Sequence, residues 1–113
     1  MVARNYLLKA PPYAVEQALK KVGRNLRLAR LRRKQTLQDI ADRIGTGTRA
    51  VRDAESGKAS TSVGVYAALL WAYDLLDPLD QLADPLEDKE GLALMAARES
   101  KRARKSGDLD NEF

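Results

Sequence analysis

The 113-residue chain contains no cysteine and no histidine. Disulfides, thiol nucleophiles, zinc-finger ligand sets and imidazole acid–base catalysis are excluded on that inventory. Aromatics are scarce as well, with one Trp, one Phe and four Tyr, so a core has to be built mainly from Leu, Ile, Val and Ala. Long hydrophobic runs are missing: the longest, Val65 to Tyr73, is too short to span a bilayer. The opening residues Met1-Val-Ala-Arg-Asn-Tyr-Leu-Leu-Lys9 lack a signal-peptide core, which makes a cytoplasmic location the expectation. No catalytic residue, cofactor or metal is expected, and a chain of this length builds one modest core plus tails.

Charge, by contrast, is plentiful and unevenly spread. The net value of +4 hides a first third, residues 1–36, with ten Lys or Arg against Glu16 alone. Residues 37–60 balance, residues 61–97 carry seven acids against Lys89, and residues 98–113 hold five bases and four acids. A polyanion suits the first third and is repelled by the acidic stretch, so two different partners are implied.

The run Thr36-Leu-Gln-Asp-Ile-Ala-Asp-Arg-Ile-Gly45-Thr-Gly-Thr-Arg-Ala-Val-Arg-Asp-Ala-Glu55-Ser-Gly57 spells two short helices meeting at a tight turn. Thr36 is an N-cap with Asp39 three residues on as a carboxylate variant of the capping box. The first helix then starts at Leu37 with Ile40, Ala41 and Ile44 on one face, and Gly45 ends it in a left-handed turn. A second helix opens at Thr48, faces Val51 and Ala54 inward, and stops at Gly57. Two helices crossing steeply over so short a turn need a small facing residue, and Ala41 supplies it. This pattern predicts a DNA-binding helix-turn-helix.

Around the motif, Pro11-Pro12 separates an N-terminal arm, residues 1–12, from a helix running from Tyr13 to about Lys34, which Gly23 divides. Its stripe of Val15, Leu19, Val22, Leu26, Ala29 and Arg30 faces a core. Its end is densely basic, which suits the helix dipole and also a phosphate backbone. After the polar loop that follows Gly57, Ser62 or Thr61 caps a helix whose Tyr66, Leu69, Leu70, Tyr73 and Leu76 form a core stripe. Ala68, Trp71 and Leu75 lie on the other face, so this helix is apolar nearly all round and marks a dimer or partner interface. Asp77-Pro78 starts a short helix over Leu79–Leu82, Asp84-Pro85 a further one from Leu86 to Lys101, and residues 106–113 form a disordered tail. The domains expected are a DNA-binding domain over 13–83 and a helical extension over 84–105.

The central run resembles the motif of the Xre/Cro/lambda-repressor-like family, matched here by Thr36, Ile40, Ala41, Gly45, Val51, Glu55 and Gly57. The resemblance implies an all-α, five-helix domain over about residues 20–83. It also implies an ion pair between Arg30, which holds the family's helix-1 Arg position, and Glu55. Leu37 and Gly47 depart from the polar residue and the Ser often found at their places, which weakens phosphate anchoring there.

In such a domain the second motif helix enters the major groove, so Thr48, Arg49, Arg52 and Asp53 are the expected base-reading residues. Arg49 leads, because a guanidinium donates bidentately to guanine; Asp53 accepts from cytosine or orients Arg49, four residues before it. Phosphate contacts are expected from Arg32, Arg33, Lys34, Gly47 and Lys58, and from free N–H groups at the starts of both motif helices. A homodimer would set two reading helices about 34–36 Å apart on a pseudo-palindromic operator in double-stranded DNA, with the protein at the nucleoid.

The flanks, Gly23-Arg-Asn-Leu-Arg-Leu-Ala-Arg-Leu-Arg-Arg33, Leu69-Leu-Trp-Ala-Tyr73 and the stretch from Leu79 to Leu94 with Lys101-Arg-Ala-Arg104, are similar to those of HipB-like antitoxins. That resemblance implies a repressor of its own operon that restrains a HipA-like toxin kinase. A stand-alone or prophage-type repressor, and a protein-inhibiting interaction module with weak DNA binding, stay open beside it.

Overall fold

A computed structural model describes residues 6–111, with side chains through residue 106, and every regular element among them is helical. The order is α1 (Tyr6–Lys9), α2 (Tyr13–Arg32), α3 (Leu37–Ile44), α4 (Thr48–Glu55), α5 (Val63–Ala72), a 3-10 turn (Asp77–Gln81) and α6 (Lys89–Asn111). The chain divides into two compact units, Met1–Asp77 and Pro78–Phe113. The first therefore closes a few residues before the boundary at residue 83 that the sequence pattern suggests. No helix among the described residues is long and apolar enough to cross a membrane.

The first unit owes its order to local signals that agree with one packed core. Thr36 Oγ1 accepts the Asp39 N–H at 3.0 Å while the Asp39 carboxylate accepts the Thr36 N–H at 2.9 Å, which closes the capping box at the start of α3. Gly45, with φ 80°, ends α3 in the left-handed region, and its N–H returns to the Ala41 carbonyl. Leu26, Ile40, Ala41, Val51, Ala54, Leu69 and Tyr73 are all but fully buried and join α2, α3, α4 and α5 into one cluster. Each large member of that set contributes about 1.5–3 kcal/mol of hydrophobic stabilisation.

Gly23 does not divide α2. It is buried within a continuous helix, and a Cβ placed on it would stand 2.5 Å from the Glu55 carbonyl oxygen and 2.7 Å from that of Ala54. The glycine is a notch into which the last turn of α4 fits. Gly57, at φ 73°, meets the α2 backbone at Lys20 just as closely, 2.6 Å from where its Cβ would be.

Element ends differ from the sequence pattern wherever a left-handed residue intervenes. α2 stops at Arg32 because Lys34 takes φ 53° and the Gln35 N–H turns back to the Arg30 carbonyl. α5 stops at Ala72, short of Leu76, because Asp74 takes φ 60° and the Leu75 N–H returns to Leu70 at 2.8 Å. Leu76 is left half-buried. The arm is not featureless, since Tyr6–Lys9 form one helical turn; residues 1–5 lie outside the described set.

At the boundary between the units, Asp77-Pro78 opens a 3-10 turn rather than an α-helix. The Asp84 carboxylate accepts the Leu86 N–H at 2.9 Å, closing a local turn that consumes the capping signal seen at Asp84-Pro85. Asp88 takes over as the cap, accepting the Gly91 N–H at 3.0 Å, so α6 begins at Lys89 instead of Leu86. α6 continues through Ser106-Gly107 to Asn111, past the point where the sequence suggests that regular structure ends. Residues 112–113 lie outside the described set.

Candidate nucleic-acid interface

α4 is anchored from behind by a buried ion pair. Arg30 Nε donates to Glu55 Oε2 at 2.7 Å and Nη2 to Oε1 at 3.0 Å, while Nη1 donates to the Gln35 carbonyl at 3.0 Å. The two side chains are only 10% and 7% exposed. One guanidinium thereby ties the end of α4 to α2 and to the entry of α3, and the carboxylate's hydrogen bond pushes its pKa above the ordinary Arg value. Removing one partner strands a buried charge, at a cost of about 3–5 kcal/mol.

With Val51 and Ala54 facing the core, the remaining side of α4 presents Thr48 and Asp53 half-buried and Arg49 and Arg52 exposed. Arg49 and Arg52 are three residues apart and share an edge. Neither is in an ion pair among the described residues. Asp53 pairs at 3.9 Å with Lys58 and not with Arg49, and a partly exposed contact of that length is worth under about 1 kcal/mol. Both guanidiniums are therefore available for a planar, bidentate acceptor.

The two helix starts are unlike. At α4 the N-cap is Gly47 in extended conformation with no side-chain cap, which leaves the first N–H groups and the positive end of the dipole open. At α3 the Asp39 carboxylate already occupies that end, and its bond from the Thr36 backbone holds its pKa below the ordinary carboxylate range. A phosphate would meet a negative charge there. Of the two helix starts, that of α4 alone is left open to an anion.

Of the cations closing α2, Arg32 and Lys34 are exposed without an ion-pair partner among the described residues. Arg33 turns inward: its guanidinium donates to the Ala29 carbonyl at 2.8 Å and the Tyr73 carbonyl at 2.9 Å, and lies 5.2 Å over the Tyr73 ring. It satisfies the carbonyl of the residue capping α5, which commits two of its five N–H donors within the protein while the side chain stays exposed. Lys58 is exposed on the loop after α4, which Tyr66 secures by donating its hydroxyl to the Lys58 carbonyl at 3.3 Å. Burial pushes the phenols of both Tyr66 and Tyr73 above their ordinary pKa.

On α5, Trp71 is 59% exposed and Ala68 half-buried, and Leu75, just beyond the helix, is 45% exposed. Arg43, from the last turn of α3, lies 6.0 Å from the Trp71 ring, a cation–π contact that no local sequence signal announces. Among the described residues no cluster of acidic side chains has the makings of a metal site. Comparison with known protein families, curated proteins and solved structures finds no match.

Proposed function

We propose that the protein is a sequence-specific DNA-binding repressor of the Xre/Cro/lambda-repressor-like helix-turn-helix type, working as a homodimer on a pseudo-palindromic operator. One observation carries the reading: α4 offers Arg49 and Arg52 along one exposed edge, unpaired, above an open helix start, on a helix clamped by Arg30 and Glu55. Stiff backing with free guanidiniums in front is what base reading in a major groove requires.

In this reading Arg49 pairs with guanine, Arg52 reads a base or holds phosphate, and Thr48 packs against or hydrogen-bonds a neighbouring base. Asp53 accepts from a cytosine amine or balances Lys58. Phosphates are met by Arg32, Lys34, Lys58 and the N–H groups after Gly47. Arg33 stays structural. Regulation follows from occupying a promoter.

Selection of binding sites from random duplex tests this directly. Wild type should enrich a motif with two related halves, and Arg49→Ala should flatten one position per half by roughly 5- to 150-fold, the equivalent of about 1–3 kcal/mol. An unchanged motif removes Arg49 from the reading helix. No enrichment with wild type defeats the DNA reading and favours the protein-inhibiting module.

The further assignment as the antitoxin of a toxin–antitoxin pair, autoregulating its operon and restraining a HipA-like kinase, is supported by the resemblance of the flanks and by an exposed Trp71 and Leu75 suited to a partner. Co-purification with a kinase-like product of the neighbouring gene tests it. Absence of that gene turns the reading to a stand-alone or prophage-type repressor.

A further inference from the structure

The second half of α6 is the most strongly charged surface that the proposed site leaves unused. Between Arg98 and Lys105 the helix carries five cations against Glu99 alone. Arg98 has Lys101 and Arg102 three and four residues on, and Lys105 lies four and three beyond those two, so the four form a single stripe about 100° wide, with Arg104 off to one side. All are exposed, and none is in an ion pair among the described residues.

Every adjacent pair along this stripe is repulsive, which costs the helix stability unless an anion lies against it. The stripe rises roughly 10 Å along the axis. Over that length a DNA duplex presents about six phosphate charges. The side of the helix opposite the stripe carries Ala96, Ser100 and Ala103, which is too small and polar to form the apolar keel of a membrane-surface helix. An extended water-borne polyanion fits this face; a bilayer does not.

We propose that Arg98, Lys101, Arg102 and Lys105 form a second, sequence-independent contact of this protein with the phosphate backbone of duplex DNA. The choice of duplex rests on the DNA-binding reading given above, whereas the stripe itself does not. Such a contact adds affinity to any sequence equally and makes binding strongly salt-dependent, leaving discrimination to α4.

The test compares the full-length protein with a variant in which Arg98, Lys101, Arg102 and Lys105 are all replaced by Gln, which keeps helix propensity. Affinity for a random-sequence duplex is measured from 50 to 200 mM sodium chloride, beside Arg49→Ala and a charge-keeping Arg98→Lys/Arg102→Lys control. Loss of four phosphate contacts should flatten the log–log salt slope by about 3 to 4, so that wild type loses roughly 100-fold more affinity over that range than the Gln variant. The Lys control should keep the wild-type slope, and circular dichroism should show helix content retained in both.

A slope unchanged by the Gln substitutions overturns the proposal, as does a stripe-dependent gain in binding to phosphatidylserine vesicles with none to duplex. If wild type shows no sequence preference yet the Gln variant still loses slope, the α4 reading fails and the α6 contact stands. If preference persists and the slope does not move, the reverse holds.

Discussion

Gly23→Ala sets two effects of known sign against each other. On an unobstructed helix surface, replacing Gly by Ala stabilises by about 0.8–1 kcal/mol through backbone propensity. At Gly23 the new methyl would lie 2.5 Å from one α4 carbonyl oxygen and 2.7 Å from the next, both backbone atoms that no rotamer change moves aside. Relief requires α4 to back away from α2 by roughly 1 Å, against the Arg30–Glu55 clamp that holds the same residue. Overpacking of that kind costs about 1–3 kcal/mol or more, and the wedge adds strain to a charged pair, so the net expectation is a loss of about 1–2 kcal/mol. For a unit of this size that is a fall in Tm of roughly 5–15 °C. Gly64→Ala is the control: its Cβ would meet nothing nearer than Ser62 Oγ at 3.6 Å, so it should be neutral or stabilise by up to about 1 kcal/mol. Thermal unfolding followed by circular dichroism at 222 nm reads both. If Gly23→Ala raises Tm as Gly64→Ala does, the close packing of α2 against the end of α4 is refuted.

Arg30→Ala and Glu55→Gln should each destabilise by about 3–5 kcal/mol in urea unfolding, whereas an apolar replacement of both partners should cost much less than the sum. Arg33→Ala should lower stability by about 1–3 kcal/mol because the Tyr73 carbonyl loses its donor, and it should leave the salt slope of DNA binding unchanged; Arg32→Ala and Lys34→Ala should do the opposite, each reducing that slope by about 1 with little effect on unfolding. The depressed pKa of Asp39 means that its contribution is fully present above the ordinary carboxylate value near pH 4 and is lost as pH falls through the lower, folded value. The Tm difference between wild type and Asp39→Ala should therefore shrink between pH 5 and pH 2, and a difference independent of pH would rule out the charged cap. Asp74→Gly should gain a few tenths to about 1 kcal/mol by relieving a left-handed residue, and a loss of stability on denaturant unfolding would contradict the φ of 60° found there.

Much of the helical layout is legible in the chain because its signals are local. The Thr36 and Asp39 capping box, the inward face of Ile40, Ala41, Val51 and Ala54, and a hydroxyl cap for α5 at Thr61 or Ser62, of which the structure uses Ser62, each follow from residues within a turn or two of one another. Helix ends were less legible, because Lys34 and Asp74 take left-handed conformations without glycine, and because Asp84 and Asp88 offer competing caps of which packing chooses one. The Arg30–Glu55 pair lies 25 residues apart and is suggested only by resemblance to a motif; no periodicity points to it.

The sequence by itself determined the all-helical character, the core face of each motif helix and the outward placing of Arg49 and Arg52, since a 3.6-residue period leaves few choices once the apolar positions are set. Tertiary structure decided which neighbours those helices meet. Gly23 became a notch instead of a break because the α4 backbone, more than thirty residues on, docks against it. Arg33 is bonded back onto the protein because the Tyr73 carbonyl, 40 residues away, lies within reach of its guanidinium. Short-range spacing carries propensity and period, while the partner of a long side chain is fixed only when distant segments come together.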